Sequence, residues 1–189
     1  MRDTIIKHGK ADRFGIRLIH APFDVEDPEE GTPIKKLGSK QYVVNFGNVA
    51  FPVPVKRMSP QERAKIVPTT WAFSSPNVTT PVEYSLTPDP IGDTLSTSDL
   101  ALFEDISKIL IASPAVDVLG LSMVHPSLPG IRFKRGNSII TLPLDLNGLV
   151  PGEERFDTIW VFPPGNEGAV VQCVESGGSV GEGKFDENF

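Results

Sequence analysis

The chain has 189 residues, a length that one hydrophobic core can serve. Its 39% apolar and 22% charged residues make it too apolar for a disordered chain and too charged for a membrane protein. A net charge of −6 argues against a nucleic-acid surface, and a single cysteine, Cys173, rules out an intrachain disulfide, a zinc knuckle or a Cys-x-x-Cys redox motif.

The segment Met1 to Lys10 lacks the apolar core of a secretory signal, and no run approaches the roughly 20 apolar residues of a bilayer span. Cytosol or nucleus is therefore the expected compartment, and neither a membrane nor a nucleic acid is an expected partner. Under that expectation Asn77-Val78-Thr79 is a glycosylation sequon in form only.

A helical turn is expected near Ile5 and Ile6, followed by a strand from Phe14 to Phe23. Asp24-Val25-Glu26-Asp27-Pro28-Glu29-Glu30 places five acids in seven residues, without the alternate spacing and turn glycine of a calcium loop. It reads as a solvated stretch. Gln41 to Val55 is strand-like, bent or bulged at Phe46-Gly47-Asn48. Ser59-Pro60-Gln61-Glu62 is a capping box with proline at the first helical position, and Pro68 limits that helix to about two turns. The proline-dense stretch Pro52 to Pro90 contains Thr70-Trp71-Ala72-Phe73 and Val82-Glu83-Tyr84-Ser85-Leu86, two strands that read as core material rather than linker.

A longer helix runs from about Ser98 to Ala112, with Leu100, Phe103, Ile106, Ile109 and Leu110 at helical spacing and Pro114 ending it. Asp99, Glu104 and Asp105 toward its start and Lys108 toward its end suit the macrodipole. Val116 to His125, Ile131 to Leu144, Thr158 to Phe162 and Ala169 to Val174 are further strands. Lys134-Arg135-Gly136-Asn137 is expected to turn a hairpin, and Pro163 to Gly168 a longer one. The expected fold is α+β, a mostly antiparallel or mixed β-sheet, or a curved, barrel-like one, with one long helix and one or two short ones. The expected domain covers residues 1–175, and a disordered, acidic, glycine-rich tail covers 176–189.

Two segments resemble each other. Asp12-Arg13-Phe14-Gly15-Ile16-Arg17-Leu18-Ile19-His20 and Asp117-Val118-Leu119-Gly120-Leu121-Ser122-Met123-Val124-His125 share Asp, Gly, His and four apolar positions at an offset of 105 residues. Each would be the strand of a helix–strand unit, and together they suggest a pseudo-twofold internal repeat. The glycine would permit close helix packing on one side while the histidine faces the other.

The first copy, Arg13 to Phe23, also resembles a segment of uncharacterised fungal proteins. That segment reads roughly Phe-Gly-x-x-Leu-Leu-His-x-His-Phe and precedes an acidic stretch. His20 and Phe23 match, and Pro22 stands where the second histidine would be. The resemblance spans about a tenth of the chain and implies no known activity.

His20 and His125 are the candidate catalytic residues and the candidate metal ligands. Two imidazoles and a carboxylate hold a divalent metal, and one imidazole near neutral pKa moves protons. Glu83 and Asp24 are candidate third groups, although spacing selects neither. His8 is discounted as terminal. Cys173, in the apolar run Ala169 to Val174, reads as a buried inert thiol rather than a nucleophile. Arg132, Lys134 and Arg135 read as a solvated basic spot at a hairpin. Trp71, Phe73 and Tyr84 read as core aromatics before ligand-pocket walls.

No phosphate-binding glycine loop, Gly-x-Ser-x-Gly elbow or His-Glu-x-x-His helix occurs. The expected function is therefore binding or interaction, with a protein or small-molecule ligand. The alternative is a small enzyme, metal-assisted or acid–base, that uses His20 and His125 in a pocket.

Overall fold

The computed structural model describes residues 1–19, 41–46, 49–54, 59–75, 78–86, 95–124, 130–135, 138–143, 155–163 and 168–176. Helix α1 (Arg2–Lys7) leads into β1 (Phe14–Leu18), and then come β2 (Gln41–Phe46), β3 (Val49–Pro54), the single-turn α2 (Pro60–Arg63), β4 (Ile66–Ser75) and β5 (Val78–Leu86). Helix α3 (Thr97–Ile111) opens a second series: β6 (Leu119–Met123), β7 (Gly130–Arg135), β8 (Ser138–Pro143), β9 (Arg155–Val161) and β10 (Val170–Ser176).

The strands pair in the order β1-β6-β4-β5-β2-β3-β8-β7-β10-β9, and β9 returns to β1, so the fold is an α+β closed barrel. β2–β5 and β7–β10 run parallel, and every other neighbouring pair is antiparallel. The two series occupy matching places. Exchanging β1 with β6, β2 with β7, β3 with β8, β4 with β9 and β5 with β10 reproduces the same ring of neighbours.

At the centre of the β1–β6 ladder, Ile16 is the register partner of Leu121. Gly15 and Gly120 flank this centre for a reason other than helix packing. A Cβ on Gly15 would lie 2.5 Å from the Trp160 carbonyl oxygen, and one on Gly120 would lie 2.2 Å from that of Trp71. The neighbouring strand's backbone, not a helix, excludes a side chain at both positions.

Strand alternation sorts the residues into two faces. Phe14, Trp71, Phe73, Leu121 and Phe162 face outward and pack against Ile5 of α1 and Leu102, Phe103, Ile106 and Leu110 of α3. Phe103 is the keystone, with its ring centroid 5.5 Å from Phe14 and 5.0 Å from Trp71, both edge-on. The buried stripe of α3 is rotated from the expected one. Leu102 joins it, while Leu100 is 55% exposed and Ile109 38%. Docking on a curved strand surface, rather than the count of apolar residues, sets the stripe.

The expected capping box at Ser59/Glu62 is formed for α2, and a second one, at Ser96/Asp99, which the sequence reading did not name, starts the long helix at Thr97 rather than Ser98. Asp99 does more than suit the macrodipole. It is fully buried, with Lys10 Nζ 2.7 Å away, Arg13 Nε 3.5 Å away, and the Ser96 amide and hydroxyl each donating at 2.8 Å. Burial pushes its carboxyl up, but Lys10, Ser96 and Arg13 together outweigh burial and hold it below its ordinary value. Asp99 thereby ties the α1–β1 connection to the start of α3. His8 is no loose terminal residue, because its Nε2 lies 3.0 Å from Asp105 Oδ2 on α3. The sequence expected β1 to continue to Phe23, but it ends at Leu18, with Ile19 already outside the strand; of the expected tail 176–189, Ser176 is the last residue of β10, and the rest, like the acidic stretch at 24–30, lies outside the described residues.

Two predictions concern this frame. Gly120→Ala should destabilise the fold by about 1–3 kcal/mol in urea denaturation, because the added carbon meets backbone. Gly168→Ala, with nothing within 4 Å, should leave stability unchanged. Because the folded Asp99 pKa is depressed, its stabilisation is complete above 3.8 and is lost as pH falls through the lower folded value. Asp99→Asn should thus be less stable than wild type at pH 7, and the gap should close below pH 3.8; a gap independent of pH would contradict the clamp.

Candidate functional site

Three strand triplets each carry one charge between two apolar residues: Ile16-Arg17-Leu18, Val82-Glu83-Tyr84 and Ile131-Arg132-Phe133. Strand alternation turns each charge away from the face its two neighbours share. Arg17, Glu83 and Arg132 are all at least nine-tenths buried. β5 and β7 are not neighbours in the ring, yet Arg132 of β7 reaches Glu83 of β5. That contact crosses the barrel, which places the cluster in its interior.

The geometry centres on Glu83 Oε1. Arg17 Nη2 donates to it at 2.5 Å, and Arg132 Nη1 and Nη2 each lie 3.5 Å from the same oxygen. Arg17 Nη1 also donates to Thr70 Oγ1 at 3.2 Å. Thr70 Oγ1 is 3.1 Å from Ser122 Oγ, whose hydroxyl reaches the Thr69 and Met123 carbonyl oxygens at 3.3 Å. One proton arrangement satisfies the whole chain: Arg17 donates to Thr70, Thr70 to Ser122, and Ser122 to a backbone carbonyl. Register explains the assembly, because Thr70 is the partner of Glu83 on β5 and of Ser122 on β6.

The cluster can hold charge, and it presents guanidinium and hydroxyl donors around one carboxylate. Its two guanidiniums share the Glu83 carboxylate, and β10 places Glu175 in register with Arg132.

The sequence-derived site residues are placed differently. His20, His125 and Asp24 lie outside the described residues. Ile19 donates to the Val118 carbonyl and Val124 to the Arg13 carbonyl, so the residues preceding the two histidines sit at opposite ends of the β1–β6 ladder. Those ends are about 20 Å of strand apart. Among the described residues no group of three or more His, Cys, Asp or Glu side chains is placed to hold a metal ion.

Glu83 is in a polar cluster, but its partners are arginines. Arg132 is corrected from a solvated hairpin residue to a buried interior one, 4% exposed, because the strand's alternation, not its closeness to a turn, sets its direction. Trp71 and Phe73 are core aromatics. Cys173 occupies a β10 position paired with Gly130 and Ile159. The sequence reading passed over Arg17, although a lone charge inside an apolar strand triplet was the available signal.

No protein-family model matches the chain, and no curated protein or solved structure matches it either. No helix among the described residues is long and apolar enough to cross a membrane.

Removing the shared carboxylate should be costly. Glu83→Gln leaves two buried guanidiniums without a counter-charge and should lower stability by about 3–5 kcal/mol in urea. Arg17→Met combined with Glu83→Met should cost less than Glu83→Gln alone. A Glu83→Gln protein as stable as wild type would show that the interior charges are not coupled.

Proposed function

We propose that the protein is a small-molecule-binding barrel, cytosolic or nuclear, whose ligand sits against the Arg17–Glu83–Arg132 cluster. The observation that carries this reading is that two buried guanidiniums from β1 and β7 converge on one Glu83 oxygen inside a ten-stranded barrel. An eight-stranded barrel has an interior that side chains fill or that holds one small ligand, and diameter grows with strand number. Ten strands give a wider interior than eight. A barrel whose interior served stability alone would be filled by apolar side chains, which match or exceed a buried ion pair in stability. A few convergent polar groups in an enclosed space are instead what ligand sites use for orientation.

We also infer that the barrel is a duplicated unit, α1 with β1–β5 followed by α3 with β6–β10. The matching ring of neighbours supports this, as do Gly15 and Gly120, each pressed against a tryptophan carbonyl. Those tryptophans extend the likeness: Thr69-Thr70-Trp71-Ala72-Phe73 and Thr158-Ile159-Trp160-Val161-Phe162 share Thr, Trp and Phe at an offset of 89 residues. Trp71 pairs with Leu121 as Trp160 pairs with Ile16. Phe46-Gly47-Asn48 and Arg135-Gly136-Asn137 connect the corresponding β2–β3 and β7–β8 hairpins at the same offset. The charged cluster departs from this symmetry, since Ser122 corresponds to Arg17, Ile159 to Thr70 and Val43 to Arg132. That asymmetry fits a specialised interior better than a structural filling common to both units. An experimental structure in which β1–β4 superimpose on β6–β9 only after shifting this register would remove the duplication.

The binding reading is tested by melting temperature against a panel of neutral, cationic and anionic small molecules, with Arg17→Met and Glu83→Gln run beside wild type. A ligand of the folded state raises the melting temperature by mass action, about 2.7 kcal/mol of stabilisation at a hundredfold excess over Kd. At least one member should do so and lose its effect in an interior variant. A panel without any such member, or a shift indifferent to both variants, would reject the interior as a binding site.

A further inference from the structure

We propose that a second copy of this chain is a partner, and that two copies bind by exchanging α1–β1, the first strand of each entering the slot between β6 and β9 of the other. The inference rests on the order of the strands and is independent of what the barrel interior binds.

The two series of strands are interlocked rather than set side by side. β1 pairs with β6 and β9 and with no described strand of its own series. β6 in turn lies between β1 and β4, both of the first series. The remaining strands of each series stay together, β4-β5-β2-β3 in one arc and β8-β7-β10-β9 in the other. Each leading strand is thus seated wholly among strands of the other series.

The helix and the connection follow β1. His8 reaches Asp105 of α3, and Lys10 and Arg13 reach Asp99 at the start of the same helix. The Phe14 ring packs against Trp71 and Phe103, and Arg17 donates to Thr70 and Glu83. All of these partners lie beyond the start of β2 at Gln41. A second copy offers the same partners in the same geometry, so exchange breaks and remakes one set of contacts at no net loss.

The length of the connection sets how well a chain competes for its own β1. Residues 19–40, 22 of them, join β1 to β2, whereas six, 124–129, join β6 to β7 at the matching place in the ring. Six residues therefore suffice to close a unit. By the −3/2 power of tether length, the longer connection presents β1 to its own slot at an effective concentration about sevenfold below that of a six-residue one. Tethered ends meet at an effective concentration of about 1 mM, so a neighbouring copy competes as the chain approaches that concentration. The choice is made during refolding, when every slot is empty.

The test uses the full chain, unfolded in urea, refolded at about 1 µM and at about 1 mM, and sized by chromatography with light scattering. The higher concentration should give a dimer, in about a hundredfold greater fraction than the lower. That dimer should persist for hours after dilution, because its release requires the ladders of β1 with β6 and β9 to open. Native monomer brought to the same concentration without unfolding should stay monomeric.

A cysteine pair locates the exchange. Leu18 and Leu119 are register partners, and antiparallel partners lie within disulfide reach. Leu18→Cys and Leu119→Cys are combined with Cys173→Ser and oxidised. The dimer should then run as two linked chains on a denaturing gel, and the monomer as one. A chain monomeric at both concentrations, a dimer that dissociates at once on dilution or forms at once from native monomer, or a dimer whose cysteines close within each chain would overturn the proposal. Should the cysteine variant not fold, the wild-type measurements decide alone.

Discussion

Glu83 carries one negative charge, and two guanidiniums from different parts of the chain lean on the same oxygen of it. β1, β5 and β7 contribute one member each, and Thr70 and Ser122 extend the contact to β4 and β6. Half of the strands in the ring therefore meet at one carboxylate. A buried charge without its partner costs several kcal/mol, so none of these side chains is free to leave while the others stay. The cluster fixes the inside of the barrel as the aromatic contacts of Phe14, Trp71 and Phe103 fix the outside. The two are coupled by strand alternation: Arg17 points inward because Ile16 and Leu18 point outward.

The outer side has its own anchor in Asp99. It sits in the capping box of α3 and accepts the charges of Lys10 and Arg13, which lie on the connection from α1 to β1. One carboxylate thus caps the start of a helix and sets the entry of the first strand. Inner and outer anchors share a logic, since each sets one buried acid against two bases. They differ in balance. Asp99 has Ser96 donors in addition to its bases, whereas Glu83 offers one oxygen to both of its arginines.

Much of the architecture was legible in the sequence because it is written locally. The capping box at Ser59, the helix after Ser96 and the hairpin at Gly136-Asn137 depend on neighbours a few residues away. The α+β character followed from alternation. The buried stripe of α3 was misjudged because Leu100 and Leu102 have the same apolar character, and only the curved strands beneath decide between them. The inner cluster stayed hidden for a related reason. Arg17, Glu83 and Arg132 are 66 and 49 residues apart along the chain, and nothing local says that β7 faces β5 across an enclosed space. Arg132 was drawn toward Lys134 and Arg135 as a surface spot, although its flanking Ile131 and Phe133 marked it as half of a two-faced strand. The 105-residue likeness found through Asp, Gly and His ran through the center of the β1–β6 ladder, while the stronger Thr-x-Trp-x-Phe likeness went unread because its two copies lie in strands of different length.

Closure of the ring orders events in time. β1 lies near the start of the chain, yet both of its partners, β6 and β9, belong to the second series of strands. A ribosome releasing the chain in order exposes Phe14, Ile16 and Arg17 long before anything exists to cover them. The local hairpins β2–β3, β4–β5 and β7–β8 need no such delay. Loop-closure entropy must be met before distant pairings return anything, and the β1 seams span the longest stretches of chain of any pair in the ring. The barrel's first strand is thus sealed only when its ninth arrives, and a nascent chain stalled before β9 would carry β1 with one of its two edges open.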